Sequence, residues 1–460
     1  QQTTNQPQTG GTYTEAIIGS FQRLNPLLDS YNQADRDVDR LLFTSLVRFD
    51  AQGMARAELA ESWGISKDGM TYNFSIRDNA VWQDGQPLTV DDIIFTIDLM
   101  RSDESVLASD IKSFWQEVTI QKLDDYNIQF RLPEPFAPFI DYLNFGILPK
   151  HLLENQSFNQ IVESSFNLQP VGSGPYKLDR LIVENNSVAG VVLSPNADYF
   201  LGKPYIEQII FRYYPDSASA YTAYLDKEVQ GISQVTADIL PQVLSEEGLS
   251  VYTGRRPELA LVLLNLNNSK VEFLQDANVR WALMQGLNRS FIINRILNGQ
   301  AIVADSPILP GSWAHYNDAP IEYDQEGALN LLKTAGYTFE QEADTVRAKD
   351  GVYLRFTLVH PDDQLHTLIA QAIQKDWAQL GVDVTLEPVA YEKLIDERLV
   401  QRNYEAALVD INLNRSPDPD PYPFWDQAQA TGGQNYSQWN NNTASEYLEQ
   451  ARIDFDITER

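Results

Sequence analysis

One stretch of the chain, residues 57–100, carries a strand, a turn and a helix in immediate succession. Tyr72, Phe74 and Ile76 alternate with polar residues, which is the two-residue period of a half-buried strand. The Trp-Gln-Asp-Gly segment that follows has turn chemistry, because its glycine can adopt a positive φ. Thr89 then stands where it can cap a helix whose apolar residues recur at helical spacing. The stretch predicts mixed α/β structure and contains no catalytic motif.

The composition narrows the possible partners. The chain has 460 residues, which suggests about three domains at roughly 150 residues each. Its 34 Lys and Arg against 64 Asp and Glu leave a formal net charge of −30, which disfavours binding to nucleic acid or to an anionic membrane. There is no cysteine, so disulfides, thiolate metal sites and a cysteine nucleophile are excluded. The sequence contains no run of about 18 apolar residues, so it predicts no membrane-spanning helix.

The rest of the chain also alternates strands with helices. Periodicity and capping residues predict a strand, a helix and a second strand at 353–359, 363–380 and 382–389, which is a βαβ unit with parallel strands. The other predicted elements are helices at 36–48, 276–299 and 391–401, a helix capped by Asp216, a hairpin over 118–132, and strands at 13–18, 189–195, 208–213, 406–412 and from 259.

Eight segments identify a family when they are read in order. They are ELAESW, DGMTYNFSIR, VWQDGQPLTVDDIIFT, GSGPYKL, NADYFLGKPYIEQIIF, VRWALMQGLNR, AGY and SPDPDPYPFW. Together they resemble the solute-binding proteins of ABC transporters, in the peptide/nickel/opine-binding family. The resemblance extends over roughly Thr12 to Arg460.

The resemblance implies a fold and a domain order. The expected fold is α/β, periplasmic-binding-protein-like class II, with two lobes joined by a hinge and an extra small inserted domain. In the family the chain returns from the last lobe to complete the first, so the closing segment of lobe 1 is expected to be missing after Arg460. The expected divisions are a polar tether at 1–11, lobe 1 at 12–42 and 168–256, the inserted domain at 43–167, and lobe 2 at 257–460.

The same resemblance implies a function without catalysis. It predicts the extracytoplasmic solute-binding component of an ABC importer, which captures an oligopeptide-like solute between two lobes and delivers it to a membrane permease with its ATPase subunits. No cofactor is expected, and the protein is expected to be a monomer at the periplasmic or extracellular face of the cytoplasmic membrane, anchored by a lipid on a cysteine before Gln1. Two alternatives stay open: an oligosaccharide carrier of the same family, and a surface sensor or adhesin without a transport role.

The segment 410–426, DINLNRSPDPDPYPFWD, is the best binding candidate. Its X-Pro steps hold the backbone extended, and extended backbone can bind a peptide as an added strand, although a proline-stiffened loop without a ligand explains the pattern too. The aspartate that pairs with a peptide amine in the family aligns with Asn414 or Arg415, so Asp410 and Asp418 are the nearby substitutes. The predicted solute-binding residues are Ser30, Tyr31, Asn32, Tyr391, Arg398, Asp410, Asn412, Asn414, Arg415, Asp418 and Trp425.

Other kinds of site are disfavoured. The glycine-rich segment PVGSGPY lacks the lysine and Ser/Thr of a phosphate loop and indicates a tight backbone crossing instead. Adjacent acids such as Asp91 and Asp92 diverge on a helix and do not form a catalytic pair. Only four histidines exist, and His360 and His366 would face different sides of a helix, so no metal site is expected.

Overall fold

The computed structural model describes residues 7–30, 32–317, 319–413 and 417–460. The chain divides into two compact units. The first comprises the residues up to Asp50 together with Ala55–Gly254, and the second comprises Ala51–Met54 together with Arg255–Arg460. The finer division that separates an inserted domain at 43–167 stays a prediction.

The first unit contains two main sheets. A five-stranded sheet has the order β11-β1-β10-β9-β8, and a four-stranded antiparallel sheet has the order β4-β5-β7-β6, while β2 pairs with β3 alone. In the larger sheet β1 is parallel to β10 and β11, and β8 and β9 form an antiparallel pair. The strands are β1 (Thr12–Ile18), β2 (Val47–Phe49), β3 (Ala55–Ala57), β4 (Ala60–Ile65), β5 (Thr71–Ile76), β6 (Thr119–Lys122), β7 (Asn127–Arg131), β8 (Tyr176–Glu184), β9 (Ser187–Pro195), β10 (Gln208–Tyr214) and β11 (Gly231–Ile232).

Short helices join these strands. The α-helices of the first unit are α1 (Gln33–Leu42), α2 (Val90–Met100), α3 (Ser109–Glu117), α4 (Lys150–Leu153), α5 (Phe158–Val162), α6 (Ser217–Leu225) and α7 (Leu240–Leu244). 3₁₀-helical segments occupy Ala137–Leu143 and Ser165–Leu168. The predicted cap at Asp216 is confirmed, because its side chain accepts from the Ser219 N–H at the start of α6.

The stretch that opened the sequence folds as its pattern predicts. Tyr72, Phe74 and Ile76 are all buried in β5. The Asp92 carboxylate accepts from the Thr89 N–H at 2.9 Å, which closes the start of α2. The same side chain accepts from the Lys150 N–H at 2.9 Å, so this helix start also fixes the chain where α4 begins.

The segment PVGSGPY packs against the end of α1. The Gly174 N–H donates to the Leu42 carbonyl at 2.8 Å, and the Gln83 N–H donates to the Gly172 carbonyl at 2.9 Å. A Cβ on either glycine would overlap backbone atoms of Leu42. The two glycines are therefore required for a close backbone approach, as the sequence pattern predicts.

The second unit is built on a four-stranded sheet with the order β12-β17-β15-β16. Its strands are β12 (Glu258–Leu264), β13 (Ala348–Lys349), β14 (Val352–Tyr353), β15 (Arg355–Pro361), β16 (Asp383–Val389) and β17 (Ala406–Asn412), with β13 and β14 forming a separate pair. Its α-helices are α8 (Ala277–Gln285), α9 (Arg289–Phe291), α10 (Gln325–Thr334), α11 (Gln364–Gln379), α12 (Tyr391–Lys393), α13 (Tyr422–Trp425) and α14 (Asn442–Ile453). Its other helical turns are 3₁₀ at Glu272–Gln275 and Gln427–Gln429, and π at Ile292–Ile296 and Leu394–Leu399.

The predicted βαβ unit is confirmed, since β15 and β16 are parallel and α11 connects them. Strand β17 is parallel to β15, and β12 is antiparallel to β17. Successive residues of β17 enter two different apolar clusters: Leu408 packs with the cluster that includes α8, α10 and α11, and Val409 packs with Leu394 and Leu399. The sheet is thus buried on both faces, which leaves its ends as the places where polar side chains emerge.

Three predicted helices have different bounds in the structure. The helix predicted at 36–48 is α1, which ends at Leu42 because Phe43 is extended, with φ −118° and ψ 156°; Leu46 is buried outside it. The helix predicted at 276–299 ends at Gln285, and Asn288 caps a new turn by accepting from the Phe291 N–H. The helix predicted at 391–401 is mostly a π turn. In the described ranges no helix has the length and apolar character needed to cross a bilayer.

Candidate functional site

The best-placed candidate site lies at one edge of the sheet in the second unit. Strands β15, β16 and β17 run in the same direction, so their carboxyl ends, at Pro361, Val389 and Asn412, share this edge. In open α/β sheets ligands bind outside the carboxyl ends of the strands. The residues that follow or end these strands are therefore the ones to inspect for binding.

Four side chains meet at this edge and form what we call the His366 cluster: Asp363, His366, Tyr391 and Asp410. Asp363 caps α11 by accepting from the His366 N–H at 3.0 Å, and its other oxygen lies 2.6 Å from His366 Nδ1. His366 Nε2 lies 3.1 Å from the Asp410 carboxylate on β17. The Tyr391 hydroxyl donates to the Asp410 backbone carbonyl at 3.4 Å. The cluster thus joins the starts of α11 and α12 to the end of β17.

Both ring nitrogens of His366 face a carboxylate oxygen. A neutral imidazole donates from one nitrogen only, so the protonated ring satisfies both contacts. The hydrogen bond to Asp410 is the main cause that raises the pKa of His366 above 6.5, although burial opposes it. Burial pushes the pKa of Asp363 upward, but its hydrogen bonds from His366 outweigh that effect and leave the pKa lowered. The cluster therefore carries two carboxylates around one imidazolium.

Two other predicted site residues lie near the same edge. Asn412 is the last residue of β17 and opposes Glu258 across the antiparallel pair with β12. The Arg398 guanidinium is paired with the Glu387 carboxylate at 2.5 Å, and its Nε is buried without a hydrogen-bond partner among the described residues. Arg398 therefore has one polar atom that the described residues leave unused, in a half-buried position.

In the structure, Asp418 and Trp425 contact other parts of the second unit. The Asp418 carboxylate forms a two-point ion pair with Arg460, with Oδ1 2.8 Å from Nη2, and both side chains are less than a tenth exposed. The Arg460 guanidinium also lies over the Trp313 ring, 5.2 Å from its centre. Trp425 packs against the apolar cluster around Leu394. Whether either residue contacts a solute stays a prediction.

The predicted residues of the first unit lie at the start of α1. Asn32 caps this helix by accepting from the Ala34 N–H at 3.1 Å, and its amide donates to the Asp35 carboxylate at 2.7 Å. The Ser30 carbonyl accepts from Arg36. All three contacts are structural, and a solute-binding role for Ser30 and Asn32 stays a prediction. Three predicted site residues lie outside the described residues: Tyr31, Asn414 and Arg415.

A group of buried acids on and before α1 was not expected from the sequence. Asp39 is 2% exposed, and burial raises its pKa well above the usual value. Burial also raises the pKa of Asp29 to about 7, even though Arg36 and Arg40 oppose the shift. One Asp39 oxygen accepts from the Asn25 N–H at 3.0 Å, and the other has no partner among the described residues. These acids therefore make the stability of the first unit depend on pH.

Asp29→Asn is expected to raise the free energy of unfolding above that of the unsubstituted protein at pH 7.5, and to raise it less at pH 4.5. The pKa of Asp29 is higher in the folded chain than in the unfolded chain, so its favourable contribution is complete below pH 4 and is lost as the pH rises towards 7. Asparagine stays neutral at every pH and keeps this contribution. The expected gain in the free energy of unfolding is on the order of 2 kcal/mol at pH 7.5. Urea unfolding at both pH values measures the difference. The exposed Asp78→Asn is the control, and an equal effect of Asp29→Asn at both pH values would contradict the expectation.

Metal binding has no support from the arrangement of side chains. Within residues 7–30, 32–317, 319–413 and 417–460, no three His, Asp or Glu side chains are placed so that they can hold a metal ion. His360 is buried, and its Nδ1 lies 2.7 Å from the Pro361 carbonyl. His366 is already held by two carboxylates.

Sequence reasoning missed the roles of Asp363 and His366. It weighed His366 only as a metal ligand and did not pair it with Asp410, which lies 44 positions further along the chain. The available signal was local: an aspartate at a helix start is a favoured N-cap, and its carboxylate accepts from the N–H two or three residues further on, which places it beside His366. The contact with Asp410 depends on the order of the strands in the sheet, which the sequence did not predict.

Comparisons with known proteins identify the family. The oligopeptide-binding protein AppA of Bacillus subtilis (strain 168) is 28% identical over 454 residues, which cover 97% of this chain and 81% of AppA. The nickel-binding periplasmic protein of Escherichia coli (strain K12) is 27% identical over 378 residues, which cover 79% of this chain and 68% of that protein. The solved structure of AppA from Bacillus subtilis in complex with a nonapeptide has a TM-score of 0.66 and 27% identity, and the match covers 99% of this chain and 90% of AppA.

The match to a protein family covers most of the chain. Residues 55–434 match the central region of the bacterial extracellular solute-binding proteins, family 5. This range contains strands β3–β17, and it includes every member of the His366 cluster. The chain therefore belongs to the bacterial extracellular solute-binding proteins of family 5.

Proposed function

We propose that this protein is the solute-binding component of an ABC importer and delivers an oligopeptide-like solute to the membrane permease. Relatives named as oligopeptide-, dipeptide- and nickel-binding proteins support a carrier function, and the solved relative with a nonapeptide supports a peptide as the solute class. A carrier holds and releases its solute without making or breaking a bond. The His366 cluster is suited to this, because it offers charge and hydrogen bonds to a bound solute.

The exposed carboxylate of Asp410 is the observation that carries the proposed position of the solute. Its side chain is 37% exposed at the carboxyl edge of the sheet, and among the described residues its Oδ1 accepts no hydrogen bond. Tyr391 beside it is 46% exposed, and Leu365, on the first turn of α11, is 43% exposed. An accessible carboxylate next to an aromatic ring and an aliphatic side chain fits a solute with a cationic group and apolar parts, as an oligopeptide has.

The finer parts of the assignment are proposals as well. Asn412 and Arg398 are proposed to contact the solute near Asp410, since both lie close to the same edge. An oligosaccharide is less favoured than a peptide, because Trp425 and Tyr436 pack their rings against an apolar cluster, whereas a sugar site needs open aromatic faces. A monomeric state, a lipid anchor and a location at the outer face of the cytoplasmic membrane accord with a family of extracellular solute-binding proteins.

The solute can be identified directly. Mass spectrometry of material released by denaturing the purified protein is expected to detect short peptides, and a thermal-shift screen of peptides and oligosaccharides then ranks the classes. A solute at 100 times its dissociation constant stabilises the folded state by roughly 2.7 kcal/mol. For a chain of this length that free energy raises the melting temperature by about 3 °C. An oligosaccharide in the released material would support the alternative carrier, and no released or stabilising solute would favour a sensor or adhesin.

Asp410→Asn is expected to weaken binding of the identified peptide about 10- to 100-fold. The substitution keeps the size of the side chain but removes the negative charge that a cationic group requires, and a hydrogen bond to a charged group contributes about 1.5–3 kcal/mol. Calorimetric titration measures the change. Asp362→Asn is the matched control, since it removes the same charge from an exposed residue next to the same edge. Equal affinities of the two variants would remove Asp410 from the site.

A further inference from the structure

We propose that a cationic group of the solute and the His366 imidazolium compete for Asp410, so that solute binding releases the His366 proton to water. This inference rests on the proposed function, because it uses the same carboxylate as the solute anchor. The exchange balances in charge and atoms: a cationic solute enters, one proton leaves the ring, and the Asp410 carboxylate stays ionised. The predicted consequence is a carrier that binds its solute more tightly as the pH rises.

The geometry of the ring is the first support. His366 Nδ1 lies 2.6 Å from Asp363, and His366 Nε2 lies 3.1 Å from Asp410. Only the protonated ring donates to both carboxylates. The side chain is 14% exposed, so little water screens these contacts. In the absence of solute, the proton on His366 is therefore the positive charge that Asp410 holds.

The accessible side of Asp410 is the second support. One carboxylate oxygen faces His366, and the other is without a hydrogen bond among the described residues. A cation that binds there comes within a few ångströms of the imidazolium, and two like charges at that distance lower the affinity of the ring for its proton. The long contact from Nε2 to Asp410 is weakened first, while the short contact from Nδ1 to Asp363 remains available to a neutral ring.

The cluster favours a cation over an anion. Both nitrogens of His366 are already occupied, so the ring has no donor left for a carboxylate or phosphate. Two carboxylates and one imidazolium leave a net charge of −1 at the cluster. Glu258, at the start of β12, is another acid at this edge, and it is paired with Arg256 at 2.6 Å. A cationic solute is therefore attracted to this edge, and an anionic solute is repelled.

The titratable groups on the elements around His366 come from six parts of the second unit. Asp410 and Asp363 act on the ring directly, and both favour its protonated form. Burial is the main cause that raises the pKa of the Tyr391 hydroxyl, and Asp410, Glu258 and Tyr436 raise it further. Tyr391 therefore stays neutral between pH 6 and pH 8. The groups are Asp363 on α11, Asp410 on β17, Tyr391 on α12, His360 on β15, Glu258 on β12 and Tyr436 after the last 3₁₀ turn.

The test uses the whole protein and trilysine as the probe, because its lysine side chains stay charged through pH 8. Calorimetry at pH 6 and pH 8 is expected to show an affinity that is higher at pH 8 by up to about tenfold, because the bound cation lowers the pKa of the ring. At pH 7 the measured heat is expected to differ between phosphate and Tris buffers, because released protons are taken up by the buffer. His366→Gln is expected to bind trilysine with an affinity that no longer depends on pH and without proton release.

Ring signals of the four histidines in NMR spectra give a second measurement. His366 is assigned by its absence in His366→Gln, and trilysine is expected to lower the pH at which this ring titrates in the unsubstituted protein. Binding of trilysine without proton release, or an unmoved His366 titration, would overturn the exchange and leave the Asp410 site intact. An affinity for trilysine that falls as the pH rises would also overturn the exchange, because it indicates proton uptake on binding, and no binding of trilysine would overturn the cationic solute class. Undiminished binding by Asp410→Asn would overturn the proposed site and this inference together.

Discussion

Asp418→Ala is expected to destabilise the second unit by about 3–5 kcal/mol, because it leaves the Arg460 guanidinium buried without its carboxylate. The pair is bidentate, and the Trp313 ring covers the guanidinium, so water cannot replace the lost partner. Thermal and urea unfolding of the whole protein measure the loss. The affinity for the identified peptide, measured at a temperature where the protein is folded, tests separately whether Asp418 also contacts the solute.

A double-mutant cycle separates the ion pair from other effects. Asp418→Ala combined with Arg460→Ala is expected to lose less stability than the sum of the single changes, since the double variant leaves no buried charge unpaired. Asp383→Ala is the matched control in the same unit, because its partner Arg355 is 60% exposed and such surface pairs contribute about 1 kcal/mol or less. A strong loss of peptide affinity with unchanged stability would instead place Asp418 in the solute site.

Gly172→Ala is expected to destabilise the first unit by about 3 kcal/mol or more. The added Cβ would overlap the Leu42 carbonyl, so either the end of α1 or the segment that leads into β8 must move. The same movement would break the hydrogen bond from the Gln83 N–H to the Gly172 carbonyl. Urea unfolding followed by circular dichroism measures the change.

Gly64→Ala is the matched control for this experiment. Gly64 lies in β4 of the same unit, and a Cβ there would meet nothing within 4 Å. Alanine at this position is expected to leave the stability unchanged or slightly higher, because it reduces the freedom of the unfolded chain. Similar stabilities of Gly172→Ala and Gly64→Ala would show that the backbone near Leu42 yields easily.

The elements that the sequence predicted well are those whose local pattern and tertiary environment agree. Strand β5 alternates buried residues with less buried ones along its length, and Asp363 caps α11 at the position where the sequence placed the helix start. The helix predicted at 36–48 extended too far because Leu46 is apolar at helical spacing, yet it is buried after the helix has ended. Hydrophobic periodicity indicates which residues are buried and not which backbone conformation they adopt. Leu46 is buried although the helix has already ended.

The candidate site was predictable in its segments and not in its connections. The sequence singled out Tyr391 and Asp410, and the structure brings both to the carboxyl edge of one sheet. It also proposed Asp418, whose carboxylate the structure pairs with Arg460. Neither the contact of Tyr391 with Asp410 nor the ion pair of Asp418 with Arg460 has a local sequence signal, because each joins residues that are far apart in the chain.

The sequence by itself determined the family, the βαβ unit and the excess of negative charge, since these follow from ordered motifs, local periodicity and composition. Only the tertiary structure decided that His366 lies between Asp363 and Asp410, and that Asp39 is buried beside other acids. The physical reason is that hydrogen bonds and desolvation depend on distances between side chains. Those distances are set by the order of strands in a sheet and by the packing of helices against it.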